Sequence, residues 1–349
     1  MNYDIIGDVH GQADKLESLL QAMGYRHRAG AYRHPNRKAI FVGDYIDRGP
    51  RQVASYRIVR GMVESDSAQA ILGNHEFNAI AWHTHDPNCA VDKRFLRPRH
   101  GDLGAKNRQQ HQQFLAEVEG SPLHAEIVEW CLTLPLWLDL PELRVVHACW
   151  HDGYMAELAP LLGPHRNMTP ELMVRASRTD DPVFRAVEGL TKGLELPLPD
   201  GHSFLDKDGH ERRNVRIRWW DERCSSYRDL ALMPEKSRLS LPDVPVSAAN
   251  RPAYDQRKPL FFGHYWMQGQ PELQSEKMAC VDYSAGNGGP LVAYRWEGED
   301  RLDSKNFFFE EHWYEEQSSQ EHKTNGRSRQ PRAAVDCSSK TDAGARSRG

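Results

Sequence analysis

Three short stretches decide the reading of this chain: Gly7-Asp8-Val9-His10-Gly11, Gly43-Asp44-Tyr45-Ile46-Asp47-Arg48-Gly49 and Gly73-Asn74-His75-Glu76. Each follows a short apolar run, at residues 3–6, 39–42 and 69–72, that reads as a strand. A helical pattern comes after the first two. Leu16, Leu19, Leu20 and Met23 recur at i, i+3, i+4, i+7, and Gly24 suits a helix C-terminus. Pro50 suits a first helical turn, and Ala54, Ile58 and Met62 give the second helix an apolar stripe. The strand ends recur about every 30 residues, the size of a βαβ unit. The three polar loops should therefore leave one sheet at the same edge, where open α/β sheets bind ligands.

Outward from these loops the chain has 349 residues, with 45 Lys+Arg against 49 Asp+Glu, a net charge of −4. That balance argues against general nucleic-acid binding. Apolar residues make up 39 %, enough for a core, and no run reaches the ~18 apolar residues of a membrane span. The N-terminus lacks the basic and apolar regions of a secretory signal. Six cysteines, at 89, 131, 149, 224, 280 and 337, are scattered with no Cys-x-x-Cys. The expectation is a soluble, reduced, cytoplasmic protein that does not engage membranes. Residues 79–131 read as a polar helical insertion, 136–140 and 144–147 as strands, and strand signals return at 259–262, 278–283 and 291–296. The Pro-, Asp- and Arg-rich span from about 150 to 255 gives no clear order. Residues 1–312 should form one domain. The polar tail at 313–349 holds only 6 apolar residues in its last 35, too few to offset the entropy of ordering, and is expected to be disordered.

The loops carry a mixed set of ligand types: Asp8, His10, Asp44, Asp47, Asn74 and His75, with Arg48 beside them. Two later histidines, His147 and His264, end strands of their own. Carboxylate, imidazole and amide ligands suit manganese, iron or zinc. One carboxylate can bridge two such ions, which then clamp a phosphoryl group and acidify a water. Singly, each piece has an ordinary explanation. Gly-Asp-x-His-Gly can be a turn, Asp44 and Asp47 can cap a helix, and His75, His147 and His264 can be buried structural histidines. Their joint order along the chain is what points to metal chemistry.

These motifs resemble the calcineurin-like metallophosphoesterases, and within them the phosphoprotein phosphatase branch, which includes bacterial Ser/Thr phosphatases and symmetrical diadenosine tetraphosphatases. The resemblance implies a four-layer α-β-β-α fold, a central β-sandwich flanked by helices, with a dinuclear metal site at the strand C-terminal ends. It implies that Asp8 and His10 bind the first ion, that Asp44 bridges both, and that Asn74, His147 and His264 complete the second. It further implies that His75 is the general acid, held by Asp47, that Arg48 grips phosphate, and that a bridging metal hydroxide attacks phosphorus. Two divalent ions are the implied cofactors, manganese first and iron or zinc as alternatives.

The resemblance has gaps. Ile71-Leu72 stands where eukaryotic-like members carry Arg before Gly-Asn-His-Glu, His147-Ala148-Cys149 replaces His-Gly-Gly, and Asp282-Tyr283-Ser284-Ala285-Gly286 stands near a missing Ser-Ala-Pro-Asn-Tyr loop. The bacterial branch fits better. Arg216 and Arg218 are candidates for a second phosphate-gripping arginine, although a strand with solvated arginines would look the same. Arg94, Arg97, Arg99, Lys106 and Arg108 would suit a basic lid over a polyphosphate or simply a solvated helix face. Trp150 could stack on a base or sit in the core, and Cys149 reads as a buried inert thiol. The expected activity is metal-dependent phosphoric ester hydrolysis of phosphorylated protein or dinucleoside tetraphosphate. An RNA-end or other nucleotide phosphatase is the alternative, and a catalytically dead phosphate-binding module is a further one.

Overall fold

The strand Asn2–Ile6 lies parallel to Arg37–Phe41, which lies parallel to Ala68–Ala70. On its other side Asn2–Ile6 pairs antiparallel with Ala293–Trp296, and Phe307–Phe308 closes that edge. The result is a five-stranded mixed sheet. A second, four-stranded sheet runs in the order Met278–Cys280, Leu260–Phe262, Arg144–Val146, Trp137–Asp139. This is a computed structural model, described over residues 1–89, 94–205, 210–247 and 250–310. The tail expected at 313–349 lies outside the described residues.

The two sheets stack because their strands alternate. Ile5, Ile40, Val145, Phe261 and Ala279 join one buried cluster that draws on both sheets. Their neighbours Ile6, Phe41, Val146, Leu260, Phe262, Met278 and Cys280 join a second cluster with the helices. A period of two thus sends successive side chains to an inter-sheet core and to a sheet–helix core. The fold is α/β, with mixed sheets and flanking helices.

The helix Ala13–Ala22 buries Leu16, Leu19 and Leu20, and Gly24 follows it at φ 95°. The next helix, Gln52–Glu64, starts two residues beyond Pro50. It buries Gln52, Ser55, Tyr56, Val59 and Met62; of the expected stripe Ala54, Ile58 and Met62, Met62 is buried and Ile58 packs partly buried against the core, and the buried face is widened by the polar Gln52 and Ser55. The cause is polar: Glu117 accepts the Gln52 and Val53 N–H groups at 2.7 and 2.9 Å, and the Gln52 side chain is drawn inward.

The span 79–131 is not a separate polar appendage in this fold. It contributes to the helices Asn74–His83, Gly101–Gln110, Gln112–Val118 and Pro122–Cys131. Phe114, Leu115, Val118, Ile127, Val128 and Trp130 lie in the same buried cluster as Tyr45, Tyr56 and Met62. The Trp130 ring centroid is 5.4 Å from that of Tyr56 and 6.0 Å from that of Tyr45. Its many Gln, Arg and Glu residues lower the average hydropathy and mask the apolar face beneath. The unordered span from 150 contains the helices Asp152–Leu158, Pro170–Ala176 and Pro182–Lys192 and the paired strands Glu195–Pro197 and Asn214–Arg216. Among the described residues no helix is long and apolar enough to cross a membrane.

Candidate metal centre and active site

Backbone hydrogen bonds zip the first two motif loops together: His10 N–H to Asp44 O at 2.8 Å, Gly11 N–H to Tyr45 O at 2.8 Å and Gly49 N–H to His10 O at 2.9 Å. The third loop joins through Glu76. Its buried carboxylate accepts the N–H groups of Asp44 (2.9 Å), Tyr45 (2.8 Å) and Gly73 (3.1 Å). Burial and the neighbouring Asp44 charge push the Glu76 pKa up to about 7. Gly43 stands at φ 106°, and a Cβ there would lie 2.7 Å from Gly73 Cα. Only glycine lets these two strand ends touch.

The non-glycine residues of the site are strained as well. His10, Asp44, Asp47, Arg48, His264 and Trp266 hold φ between 48° and 72°. Left-handed backbone costs on the order of 1 kcal/mol or more per residue, and it clusters where side chains must be aimed.

Two ligand-type triads result, and they share one residue: His10, Asp44 and His75, and Asp44, His147 and His264, each with candidate ligand atoms within 4.8 Å of one another. Asp44 Oδ2 is 3.7 Å from His10 Nε2, and Oδ1 is 3.4 Å from His147 Nε2. Asn74 Oδ1 faces His147 Nε2 at 3.1 Å and His264 Nδ1 at 2.9 Å. Asp8 lies outside both triads but beside them: its Oδ2 accepts the His264 N–H at 3.0 Å. Asp8 Oδ1 and His10 Nε2 are buried and have no hydrogen-bond partner. Buried polar atoms rarely stay unsatisfied, and an orphan carboxylate oxygen and an orphan imidazole nitrogen are donor types that divalent ions take. The residues present therefore fit a dinuclear metal group.

The electrostatics follow from crowding without water. Burial and the Asp282 and Asp44 charges raise the Asp8 pKa well above the carboxylate range. Burial also opposes charge on Asp44, but the imidazoles of His147, His75 and His10 outweigh it and hold its pKa well below normal. Burial and His75 pull His10 down to about 4, leaving it neutral and able to ligate.

Beside the triads, His75 Nδ1 lies 2.5 Å from Asp47 Oδ2. Burial works against a charged His75, but Asp44 and Asp47 override it and raise its pKa. Asp47 is buried, yet the imidazoles of His111 and His75 take its pKa down to about 2. The Asp47 N–H donates to Gln52 Oε1 at 2.6 Å, which explains why that glutamine is drawn inward. The Arg48 guanidinium lies 4.1 Å over the Trp266 ring. Asp44, Arg48, Asn74, His75, His264 and Trp266 line a polar cavity of about 380 Å³.

The two candidate arginines part company. Arg216 lines this cavity, with Nη1 3.4 Å from His264 Nε2 and Nη2 3.0 Å from Glu195 Oε1. Arg218 does not: it is tied to the Asp229 carbonyl and lies 3.6 Å from Asp221 Oδ2. Trp150 is buried, donates its Nε1–H to Asp152 and lies under the Arg144 guanidinium at 4.7 Å, so it is not free to stack on a base. Cys149 is buried, and burial raises its thiol pKa, which fits an inert group.

Several site residues escaped the sequence reading. His111, fully buried, brings Nδ1 to 2.7 Å from Asp47 Oδ2 out of the span taken for an insertion. Asp282 accepts the Trp266 and Ser284 N–H groups at 2.7 and 2.9 Å and so braces the His264 loop. Trp266, Asn78, Gln110 and Lys192 line the cavity. Of these, only Trp266 carried a signal, two positions after His264.

Comparison with known proteins places this geometry in context. The calcineurin-like phosphoesterase family matches residues 1–155. Bis(5'-nucleosyl)-tetraphosphatase PrpE [asymmetrical] of Halalkalibacterium halodurans is 45 % identical over 76 residues, 22 % of this chain and 31 % of that protein. The protein of the same name from Bacillus thuringiensis (strain Al Hakam) is 42 % identical over 167 residues, 44 % of this chain and 60 % of its own. The chain thus spans about a third to three fifths of these two relatives. A solved protein serine/threonine phosphatase from Saccharomyces cerevisiae is 15 % identical, with 89 % of this chain and 79 % of that one covered, at a TM-score of 0.45. The first 155 residues, which carry the three motif loops, are thus similar to the calcineurin-like phosphoesterase family.

Proposed function

We propose that this protein is a metal-dependent phosphoric ester hydrolase acting on the phosphate chain of dinucleoside tetraphosphates. The observation that carries the reading is the pair of triads sharing Asp44, with His75 of one triad paired to Asp47 and with Asp44, His75, His264 and Arg48 lining one polar cavity. The names of the PrpE relatives support the substrate class.

Asp8, His10 and Asp44 would hold one ion, and Asp44, Asn74, His147 and His264 the other. Two divalent ions, manganese first and iron or zinc next, would supply a water nucleophile of lowered pKa and neutralise charge on the phosphoryl group. The chain's own residues do the rest. Arg48 presents its planar fork to two phosphate oxygens, and the Trp266 face keeps that fork in one plane. Arg216 adds a second positive charge on the His264 side. Asp47 accepts the Nδ1–H of His75, and the Asp44 and Asp47 charges favour its imidazolium form, so that Nε2 carries a second proton to be given up. As the P–O bond breaks, the leaving oxygen takes that proton.

The test is to supply Mn²⁺ and compare kcat/KM for diadenosine tetraphosphate with that for a phosphothreonine peptide, with His75→Ala as control. A higher value for the dinucleotide supports the reading, and a higher value for the peptide replaces it with a protein phosphatase. The products distinguish the cleavage site. Two ADP mark symmetrical cleavage, the outcome the sequence motifs imply, whereas ATP and AMP mark the asymmetrical cleavage for which the relatives are named.

A further inference from the structure

The cavity is larger than one phosphoryl group needs: about 380 Å³ is room for roughly a dozen waters. Its metal side already has Arg48 and Arg216. Its other wall carries Asn78, Arg97, Gln110 and Lys192. Arg97 arrives there on a fixed backbone, its N–H donating to Ala81 O at 3.0 Å. Its guanidinium is held by two neutral amide oxygens, Asn78 Oδ1 and, at 2.7 Å, Gln110 Oε1. Among the described residues it forms no ion pair with a carboxylate, and its buried Nε has no partner. Burial draws its pKa down to about 10. An arginine drawn from water with carboxylates, Asp47 and Glu188, acting on it only from beyond ion-pair distance is costly to the fold, and here two side chains orient it toward a cavity. Lys192, from the last turn of Pro182–Lys192, adds a second cation, paired to Glu188 one turn back. Asp44, among the described residues the one carboxylate in the cavity wall, is already surrounded by imidazoles.

We propose that Arg97, assisted by Lys192, forms a second anion subsite that takes a phosphate of the substrate's oligophosphate chain other than the one attacked. This rests on the hydrolase reading and deepens it. One phosphate sits at Arg48 and Arg216, and its neighbour along the chain sits at Arg97. A substrate with a single phosphate leaves Arg97 without its counter-charge.

The experiment uses inhibition of p-nitrophenyl phosphate hydrolysis by tripolyphosphate and by orthophosphate, with free Mn²⁺ held constant. The readout is the ratio of the two inhibition constants, which does not depend on turnover. The wild type should prefer tripolyphosphate. Arg97→Gln should lower that preference about tenfold, the value of one charged hydrogen bond. Lys192→Gln, a change at a partly exposed side chain, should lower it in the same direction. Arg108→Gln, whose arginine pairs with Glu119 on the surface, should leave it unchanged. Thermal unfolding verifies that each variant is folded. A wild type with no preference, or Arg97 and Lys192 variants that weaken both inhibitors equally, overturns the proposal. If p-nitrophenyl phosphate is not hydrolysed at all, the hydrolase reading fails instead. Calorimetric titration of the two anions into wild type and Arg97→Gln then decides the subsite by the same ratio.

Discussion

His75 shows how much a single side chain depends on its neighbours. Its Nδ1 lies 2.5 Å from Asp47 Oδ2, and the same oxygen lies 2.7 Å from His111 Nδ1. Asp47 is in turn placed by Gln52. If His75 is the proton donor proposed above, it should matter most when the leaving oxygen is basic. His75→Asn should therefore lower kcat for phenyl phosphate, whose leaving group has a pKa of about 10, by roughly 10²–10⁴-fold. With p-nitrophenyl phosphate, whose leaving group needs little protonation, the loss should be at least tenfold smaller. Equal losses for the two esters would remove His75 from the acid's role. The motif made His75, Asp47 and Arg48 legible because each sits in a short, ordered signature. The roles of His111 and Asp282 were not legible, because a lone histidine in a helical span or a lone aspartate at a strand end carries no local sign of its partner.

At the scale of elements, the strand-end loops meet through glycine. Gly43→Ala would set a Cβ 2.7 Å from both Gly73 Cα and His147 Nδ1, at a φ of 106°. It should destabilise the protein by about 2–4 kcal/mol and displace His147, measurable as a lower urea midpoint and loss of activity. Helix faces were less legible than strand ends. Gln52–Glu64 turns its polar Gln52 and Ser55 inward because Asp47 and Glu117 bind that end, and no hydrophobic count registers such a contact. The helix Pro122–Cys131 carries a pH response of its own. His124 is buried near His83 and Arg99, and burial chiefly pulls its pKa down to about 4. The unfolded chain binds that proton near pH 6.5. Stability from the neutral ring is thus complete above pH 6.5 and lost as pH falls toward 4, by about 1–3 kcal/mol. Urea unfolding at pH 7 and pH 5 should show a shallower fall for His124→Gln than for the wild type.

At the scale of the whole molecule, the site is a seam. Asp8, His10, Asp44, Asn74 and His75 come from loops of the five-stranded sheet, His147 and His264 from the four-stranded one, and the two sets join where the His264 N–H donates to Asp8 Oδ2 at 3.0 Å and His147 Nδ1 lies 2.7 Å from Val42 O. Ions bound there should hold the two sheets together. Mn²⁺ at 100 times its Kd should stabilise the folded protein by about 2.7 kcal/mol over a chelator-treated sample. Asp44→Asn should lose most of that gain, because Asp44 belongs to both triads. Thermal unfolding with and without EDTA measures it, and an identical Tm in both would contradict metal binding at the seam.

The sequence by itself determined the βαβ start, the three motif loops and the residue types they bring to one sheet edge. These are local: apolar runs, glycines and ligands lie within a few positions of one another, and their order survives in a linear string. It also carried the alternation that builds two cores from one set of strands. Only the tertiary structure decided that Arg216 enters the cavity and Arg218 leaves it, that Trp150 is held under Arg144, and that Phe114, Leu115, Ile127, Val128 and Trp130 of the span 79–131 join the core. Only it brought Arg97 and Lys192, nearly a hundred positions apart, to one wall. The physical reason is common to all four. Where a long side chain ends depends on which partner, distant in sequence, satisfies its charge or covers its surface, and that choice is made when the layers pack.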